Sequence, residues 1–307
     1  MEKESQTRYG YFYPRAYPAG ISEGVKILNK NVKKSIIGDL HMHSSYSDGI
    51  YPPEELVQKA GKNGLGAISI TDHDSVNGID EAMETGSFLN IKVIPGIELS
   101  AMCGNREVHI LGYFFDHHNA ELEEYLKFFR AQRVKRAREM VIRLNNLNIP
   151  VNIDSIMQNA EERSIGRPHI AAEVLKTGSV KTYLEVFHKY IGYGCPAYVE
   201  KYRLDVAEAI AMITKAGGLS FIAHPSAALN ESILLHIIKT GIDGIETVHP
   251  SLTNQQSIYY RGIAEEYYLL QSGGSDFHGG KRDDESFIGR YGIPLDYIDA
   301  MQKRLVA

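Results

Sequence analysis

Nine side chains able to bind a metal ion, His41, His43, Asp48, His73, Glu98, His109, His224, Asp276 and His278, are spread from one end of the chain to the other. Imidazole nitrogen and carboxylate oxygen are donors suited to zinc, manganese and iron(II), and the alternation in His41-Met42-His43 lets two rings approach one ion from an extended or turning backbone. An isolated His-x-His is more often two ordinary histidines than a metal pair. The complete set points instead to one polynuclear metal site.

The surrounding sequence supplies elements that would bring these residues together. Short apolar runs read as strands, each carrying or closing on a candidate and followed by turn-forming or helix-starting residues. The runs at 36–40, 67–70 and 93–97 lead to His41, His73 and Glu98, the run at 107–112 carries His109, and the run at 219–223 ends at His224. Two later runs, 244–248 and 268–271, lead to His249 and to Ser275-Asp276-Phe277-His278. In a parallel barrel the strand C-termini converge on one face, so seven strand ends would point at one pocket. Pro52 and Pro53 suit the start of a helix over 53–60, which gives βα organisation. From 116 to 200 the strand signal gives way to apolar residues at helical spacing, such as Leu122, Leu126, Phe129, Met140 and Leu144, and the βα rhythm resumes near Leu204. The expected organisation is an N-terminal arm at 1–35, a barrel from 36–115 and 201–307, and a helical insertion at 116–200.

Composition narrows the classes. A length of 307 residues suffices for one barrel with a modest insertion. The formal charge of −5 argues against a protein that coats long duplex nucleic acid, while leaving a small anionic substrate open. Cys103 and Cys195 are too few for a disulfide-stapled secreted scaffold, and the N-terminal sequence lacks an apolar signal core. No apolar stretch approaches a membrane span. A soluble, cytoplasmic protein with no membrane partner is expected.

His41-x-His43 with Asp48, Thr71-Asp72-His73, Gly96-Ile97-Glu98, His109, Ala223-His224-Pro225 and Ser275-Asp276-Phe277-His278 resemble the motifs of the polymerase and histidinol phosphatase (PHP) family of metal-dependent phosphoesterases. The resemblance runs from about Ile36 to Gly280. Gly166-Arg167-Pro168-His169 and the segment 241–246 are similar to the branch containing nucleotide phosphatases and 5′-to-3′ exoribonucleases of the RNase AM type. It implies an α/β fold, a distorted (β/α)7 TIM-like barrel, and three divalent ions of the manganese, iron or zinc kind. One ion would take His41, His43, Glu98 and Asp276; a second would share Glu98 and add His109 and His224; a third would take Asp48, His73 and His278. Such cations supply a low-pKa water and neutralise phosphoryl charge.

Other residues follow with their alternatives. His249 would be a phosphate donor or general acid, or a satisfied structural histidine. Arg167 and His169 would hold a substrate phosphate from the insertion, or pin its helices to the barrel, and Lys201 or Arg203 could do either. Asp72 and Asp74 would orient ligand histidines or cap turns. The basic run from Lys127 to Arg143 could attract a short RNA but reads more simply as a solvated face. The expected activity is hydrolysis of phosphate esters in small nucleotides, a nucleoside 3′,5′-bisphosphate or the 5′ end of a short RNA. The competing readings are histidinol phosphate hydrolysis and an amidohydrolase-like cleavage of carbon–nitrogen bonds.

Overall fold

The computed structural model describes residues 37–306 except 159, 226–228 and 281–282, so the expected arm at 1–35 lies outside the described residues. The first part contains β1 (Ile37–Met42), α1 (Pro53–Lys62), β2 (Ala67–Ile70), α2 (Ile79–Leu89), β3 (Lys92–Val93), β4 (Gly96–Cys103) and β5 (Arg106–Tyr113). A helical stretch follows: α3 (Ala120–Asn146), α4 (Ile153–Met157), α5 (Arg167–Lys176), α6 (Tyr183–Val186) and a π-helical turn, Phe187–Ile191. The chain then runs through α7 (Val206–Lys215), β6 (Leu219–Ile222), α8 (Glu231–Lys239), β7 (Gly244–Val248), α9 (Asn254–Glu266), β8 (Leu270–Gly273), β9 (Ile293–Pro294) and α10 (Leu295–Leu305). None of the described helices is long and apolar enough to cross a membrane.

The strands form two sheets, ordered β3-β2-β1-β9 and β4-β5-β6-β7-β8. Isolated parallel bridges Met42–Phe277 and His73–Glu98 join the sheets, and the amide of His43 donates to the Phe277 carbonyl at 2.9 Å. The residues that meet there are those of the histidine motifs. Leu40, Ala67, Leu111, Tyr113, Leu219 and Phe221 pack into one core drawn from both sheets, and the Tyr113 hydroxyl donates to the Leu40 carbonyl at 2.9 Å. Burying each large apolar side chain stabilises the fold by about 1.5–3 kcal/mol, so this core is what holds the motif-bearing ends in register.

The expectation that the strands are all parallel needs correction. β4 pairs with β5, and β5 with β6, antiparallel. The reason is local: only Gly104 and Asn105 separate β4 from β5, and Gly104 takes φ of +59°. A connection that short can form a hairpin but not a crossover. His109 therefore lies within a strand, opposite Ser100, and the strand expected to stop at Glu98 continues to Cys103.

The long helix α3 serves two cores. Leu122, Leu126 and Phe129 in its first half pack with β4, β5 and α7, whereas Met140, Val141 and Leu144 belong to a separate cluster with Ile156, Ile170, Val186 and Ile191. The helical stretch is fastened over the motif-bearing loops by polar contacts. Ser164 N donates to the Tyr46 carbonyl at 2.8 Å, and Asn77 Nδ2 donates to that of Glu162 at 2.8 Å.

Candidate metal centre

Glu98, 1% exposed, is the hub of the cluster. Its Oε1 lies 2.7 Å from His109 Nδ1 and 2.9 Å from His224 Nε2, while its Oε2 lies 3.0 Å from His73 Nδ1, 3.2 Å from His43 Nε2 and 3.4 Å from His41 Nε2. The two oxygens thus face two different sets of imidazoles. Asp276 Oδ1 stands 3.1 Å from His43 Nε2 and 3.4 Å from His41 Nε2, and Asp48 Oδ1 stands 3.3 Å from His278 Nε2. Donor atoms of His41, His43, Glu98 and Asp276 lie within 4.8 Å of one another, as do those of His43, Asp48, His73 and His278, and those of His73, Glu98 and His109. All nine residues singled out in the sequence meet in this region. His43 stands in both four-residue groups, where the sequence reading placed it in one.

The rings are aimed by contacts on their outer edges. Glu246, fully buried, faces His41 Nδ1 at 3.1 Å and accepts from the His224 amide at 2.5 Å. A proton on Nδ1 leaves the Nε2 lone pair of His41 turned inward, the arrangement that fixes metal-binding histidines. Glu107 does the same for His109 through Nε2 at 3.2 Å, and is itself held by Lys201 Nζ at 2.5 Å. His278 has Nδ1 2.6 Å from the Asp276 carbonyl, leaving Nε2 toward Asp48. Asp74, His224 and Asp276 adopt positive φ of 50°, 26° and 50°. Each costs about 1–3 kcal/mol, so the surrounding bonds impose this backbone against its own preference.

Electrostatics follow from packing so many ionisable groups out of water. Burial alone would push the Glu98 carboxyl up, but His73, His109 and His41 hold it well below the usual range. Burial likewise opposes charge on His43 and His109, yet the carboxylates beside them raise both to about 9. Burial wins at His73, which drops to about 3. Cations fit this donor set on an independent observation. His41 Nε2, His43 Nε2, His73 Nδ1, His278 Nε2 and Glu98 Oε2 are buried yet make no hydrogen bond, where buried polar atoms are nearly always satisfied.

The remaining sequence candidates separate. His249 lies inside the cluster, with Nε2 3.5 Å from Asp276 Oδ2 and Nδ1 accepting from the Ser251 amide at 3.0 Å, which places the ring proton on Nε2. Lys201 reaches the centre through Glu107. Arg203 instead pairs with Glu200 and reaches Asn105. Arg167 stacks 5.8 Å from the Phe187 ring centroid, and His169 caps its own helix by accepting from the Gly166 amide at 3.1 Å. Asp72 holds the turn after β1, accepting from Ser44 and Ser47, and reaches His43 through Ser47, 3.4 Å from its Nδ1. Asp74 binds Arg133 and the Ser100 amide. The basic run divides: Arg130 is buried and Arg133 clamps Asp74, whereas Lys127 and Arg143 form exposed pairs with Glu123 and Glu139. His117 and His118 meet Asp80 in a separate surface group, while His188 lies in the π-helical turn and His236 in α8.

Sequence reasoning missed Glu246, Glu107, Asp39 and Asp284. Asp284 accepts from the amides of His278 and Gly280, both at 2.5 Å, and Asp39 accepts from that of Ser275 at 2.9 Å. The available signal was a carboxylate inside an apolar strand, as at Glu246, since such a group is rarely buried unpaired.

Two substitutions probe this scaffold. Glu246→Gln should keep the volume but remove the charge that orients His41, weakening metal affinity by roughly 10–100-fold; titration against a competing chelator reads the shift. In Gly274→Ala the new Cβ would fall 2.4 Å from the amide nitrogen and Cβ of His41, with backbone rather than a flexible tip in the way. Overpacking of that kind costs roughly 1–3 kcal/mol, and thermal denaturation should show the loss.

The sequence pattern of the PHP domain matches residues 39–268. A 5′-3′ exoribonuclease of Haemophilus influenzae is 34% identical over 245 residues, covering 78% of this chain and 89% of that protein. A 3′,5′-nucleoside bisphosphate phosphatase of Chromobacterium violaceum is 33% identical over 246 residues, covering 78% of this chain and 86% of its own. A crystal structure from Bifidobacterium adolescentis, assigned as a metal-dependent phosphoesterase, superimposes with a TM-score of 0.80 at 30% identity, over 87% of this chain and 96% of the other.

Proposed function

The chain belongs to the PHP domain family, and on that footing we propose that it is a metal-dependent hydrolase of phosphate esters in small nucleotides or short RNA. A nucleoside 3′,5′-bisphosphate or a 5′-phosphorylated RNA end is the favoured substrate. The observation that carries the reading is the division of Glu98 between two sets of imidazoles, Oε1 toward His109 and His224 and Oε2 toward His41, His43 and His73. A carboxylate so placed suits a bridge between two cations, and Asp48, His73 and His278 suit a third. Bound divalent ions would supply a nucleophilic water at neutral pH and offset the charge on phosphorus.

The chain's own groups do the rest. His249 carries its proton on Nε2 inside the cluster and is placed to donate to a phosphoryl or departing oxygen. Lys201, anchored on Glu107, and Arg167, at the first turn of α5, supply positive charge for the substrate phosphate, with His169 fixing the Gly166 turn that presents Arg167. Arg203, exposed and paired with Glu200, is left outside the site. We read the two joined sheets as one distorted barrel and residues 116–200 as its roof, which limits room for a long duplex.

The test is to reconstitute the protein separately with manganese, iron(II) and zinc and to assay nucleoside 3′,5′-bisphosphates, 5′-phosphorylated short RNA, histidinol phosphate and amide substrates. Release of inorganic phosphate or mononucleotide is expected from the first two. Asp48→Asn and His278→Ala should abolish it with the fold retained by circular dichroism. Amine release without phosphate would favour carbon–nitrogen hydrolysis and overturn the proposal.

A further inference from the structure

Beside the metal centre lies an aromatic patch that the catalytic reading does not use. Tyr125, Phe128 and Tyr202 remain 41%, 42% and 49% exposed. Phe128 and Tyr202 meet edge-on with centroids 5.0 Å apart, and Tyr202 also stands 5.8 Å from Phe129. Phe129 is buried in the core with Leu122 and Leu126, so it anchors the exposed rings to a rigid base. Isolated surface apolar residues need no explanation, but a clustered set marks a place for contact.

Lys201, next to Tyr202 in the chain, ties this patch to the centre. Tyr202 lines a cleft with Lys201, Arg133, Arg136, Asp74 and Ser100. Lys201 rests on the Glu107 oxygen that lies 3.2 Å from His109 Nε2, and Ser100 stands opposite His109 in the sheet. Of the three cations in this cleft, Arg133 takes the Asp74 carboxylate and Lys201 takes that of Glu107, while the Nε of Arg136 donates to the Val199 carbonyl. Burial first, and then Arg167 and Arg133 nearby, lower the Arg136 guanidinium to about 10.

We propose that Phe128 and Tyr202 form a stacking platform for a nucleobase of single-stranded RNA whose phosphate lies at the metal centre. Flat exposed rings beside the Arg136 guanidinium, whose Nε bonds a carbonyl rather than a carboxylate, match a polyanion with π faces. An acidic protein segment would answer the charge alone. The inference rests on the phosphoesterase reading and names a feature of its substrate.

Steady-state kinetics of the metal-loaded full chain test it, using wild type, Phe128→Ala, Tyr202→Ala and Tyr202→Leu. The substrates are a 5′-phosphorylated RNA oligonucleotide, the same oligonucleotides carrying an abasic site at each position in turn, and base-free ribose 3,5-bisphosphate. Loss of a stacked base should raise KM for RNA about tenfold, with kcat within about twofold. One abasic position should cost wild type the same amount and cost Tyr202→Ala nothing further. Turnover of the base-free ester should be unchanged in every variant. Tyr202→Leu keeps apolar bulk without a ring, so it should behave like Tyr202→Ala; wild-type RNA kinetics in Tyr202→Leu would overturn the proposal. So would equal losses on RNA and the base-free ester, or indifference of RNA binding to the rings while the base-free ester is hydrolysed normally. Failure of the wild type on every phosphate substrate would instead sink the phosphoesterase reading, and this inference with it.

Discussion

Glu98→Gln is expected to lower hydrolysis by on the order of 10³-fold or more and to leave the protein short of at least one bound cation. The substitution keeps shape, and the backbone bonds from Glu98 N to the Asp72 carbonyl and from Asp74 N to the Glu98 carbonyl need no carboxylate. What changes is the charge among five imidazoles. A glutamine presents one oxygen and one NH2, so it cannot offer acceptors both to His109 and His224 and to His41, His43 and His73. Elemental analysis of the variant beside the wild type, with kcat on the same preparations, checks both halves. A variant with full metal content and activity within tenfold of wild type would remove Glu98 from the bridging role.

A second large effect is an opposite response to pH in the metal-free and metal-loaded protein. In the metal-free protein, carboxylates raise His43 and His109 to about 9 against burial, and raise His41 well above its usual value. An unfolded histidine titrates near about 6.5. Between those limits the folded chain holds protons that the unfolded chain has lost. Their stabilisation is therefore complete below about pH 6.5 and disappears as pH rises through about 9, at about 1.4 kcal/mol per pH unit for each extra proton. His73, depressed to about 3, and His224, also lowered by burial, act the other way, but only below the unfolded value. Cations need neutral imidazole, so metal affinity should rise over the same interval. Chelated protein should thus lose thermal stability from pH 6.5 to 9 while loaded protein gains or holds it. Parallel melting curves with and without chelator measure this, and identical slopes would contradict it.

Much of the centre was legible in the sequence because its residues punctuate apolar runs. A histidine at or just past the end of a strand, as at His41, His73 or His224, is placed at a sheet end by the sequence pattern alone. Ring orientation was not legible. Whether Glu246 faces His41 or solvent depends on strand register across about two hundred residues of chain, and whether Lys201 or Arg203 turns inward depends on an irregular segment in which the two look alike. Lys201 finds Glu107; Arg203 finds Glu200. The antiparallel turn of β4 and β5 was announced by Gly104-Asn105, a hairpin signal outweighed by the βα rhythm around it. The double allegiance of α3 was hidden because apolar residues at helical spacing reveal a buried face but not which core it faces. Positive φ at Asp74, His224 and Asp276 also has no sequence signal, since tertiary bonds impose it.

Anomalous X-ray diffraction from crystals of the metal-loaded protein, collected at the absorption edge of the ion supplied, tests the central claim most directly. Peaks are expected among His41, His43, Glu98 and Asp276, beside Glu98, His109 and His224, and among Asp48, His73 and His278. Scattering confined to the surface group of Asp80, His117 and His118, or no peak near Glu98 in a loaded and active preparation, would contradict it.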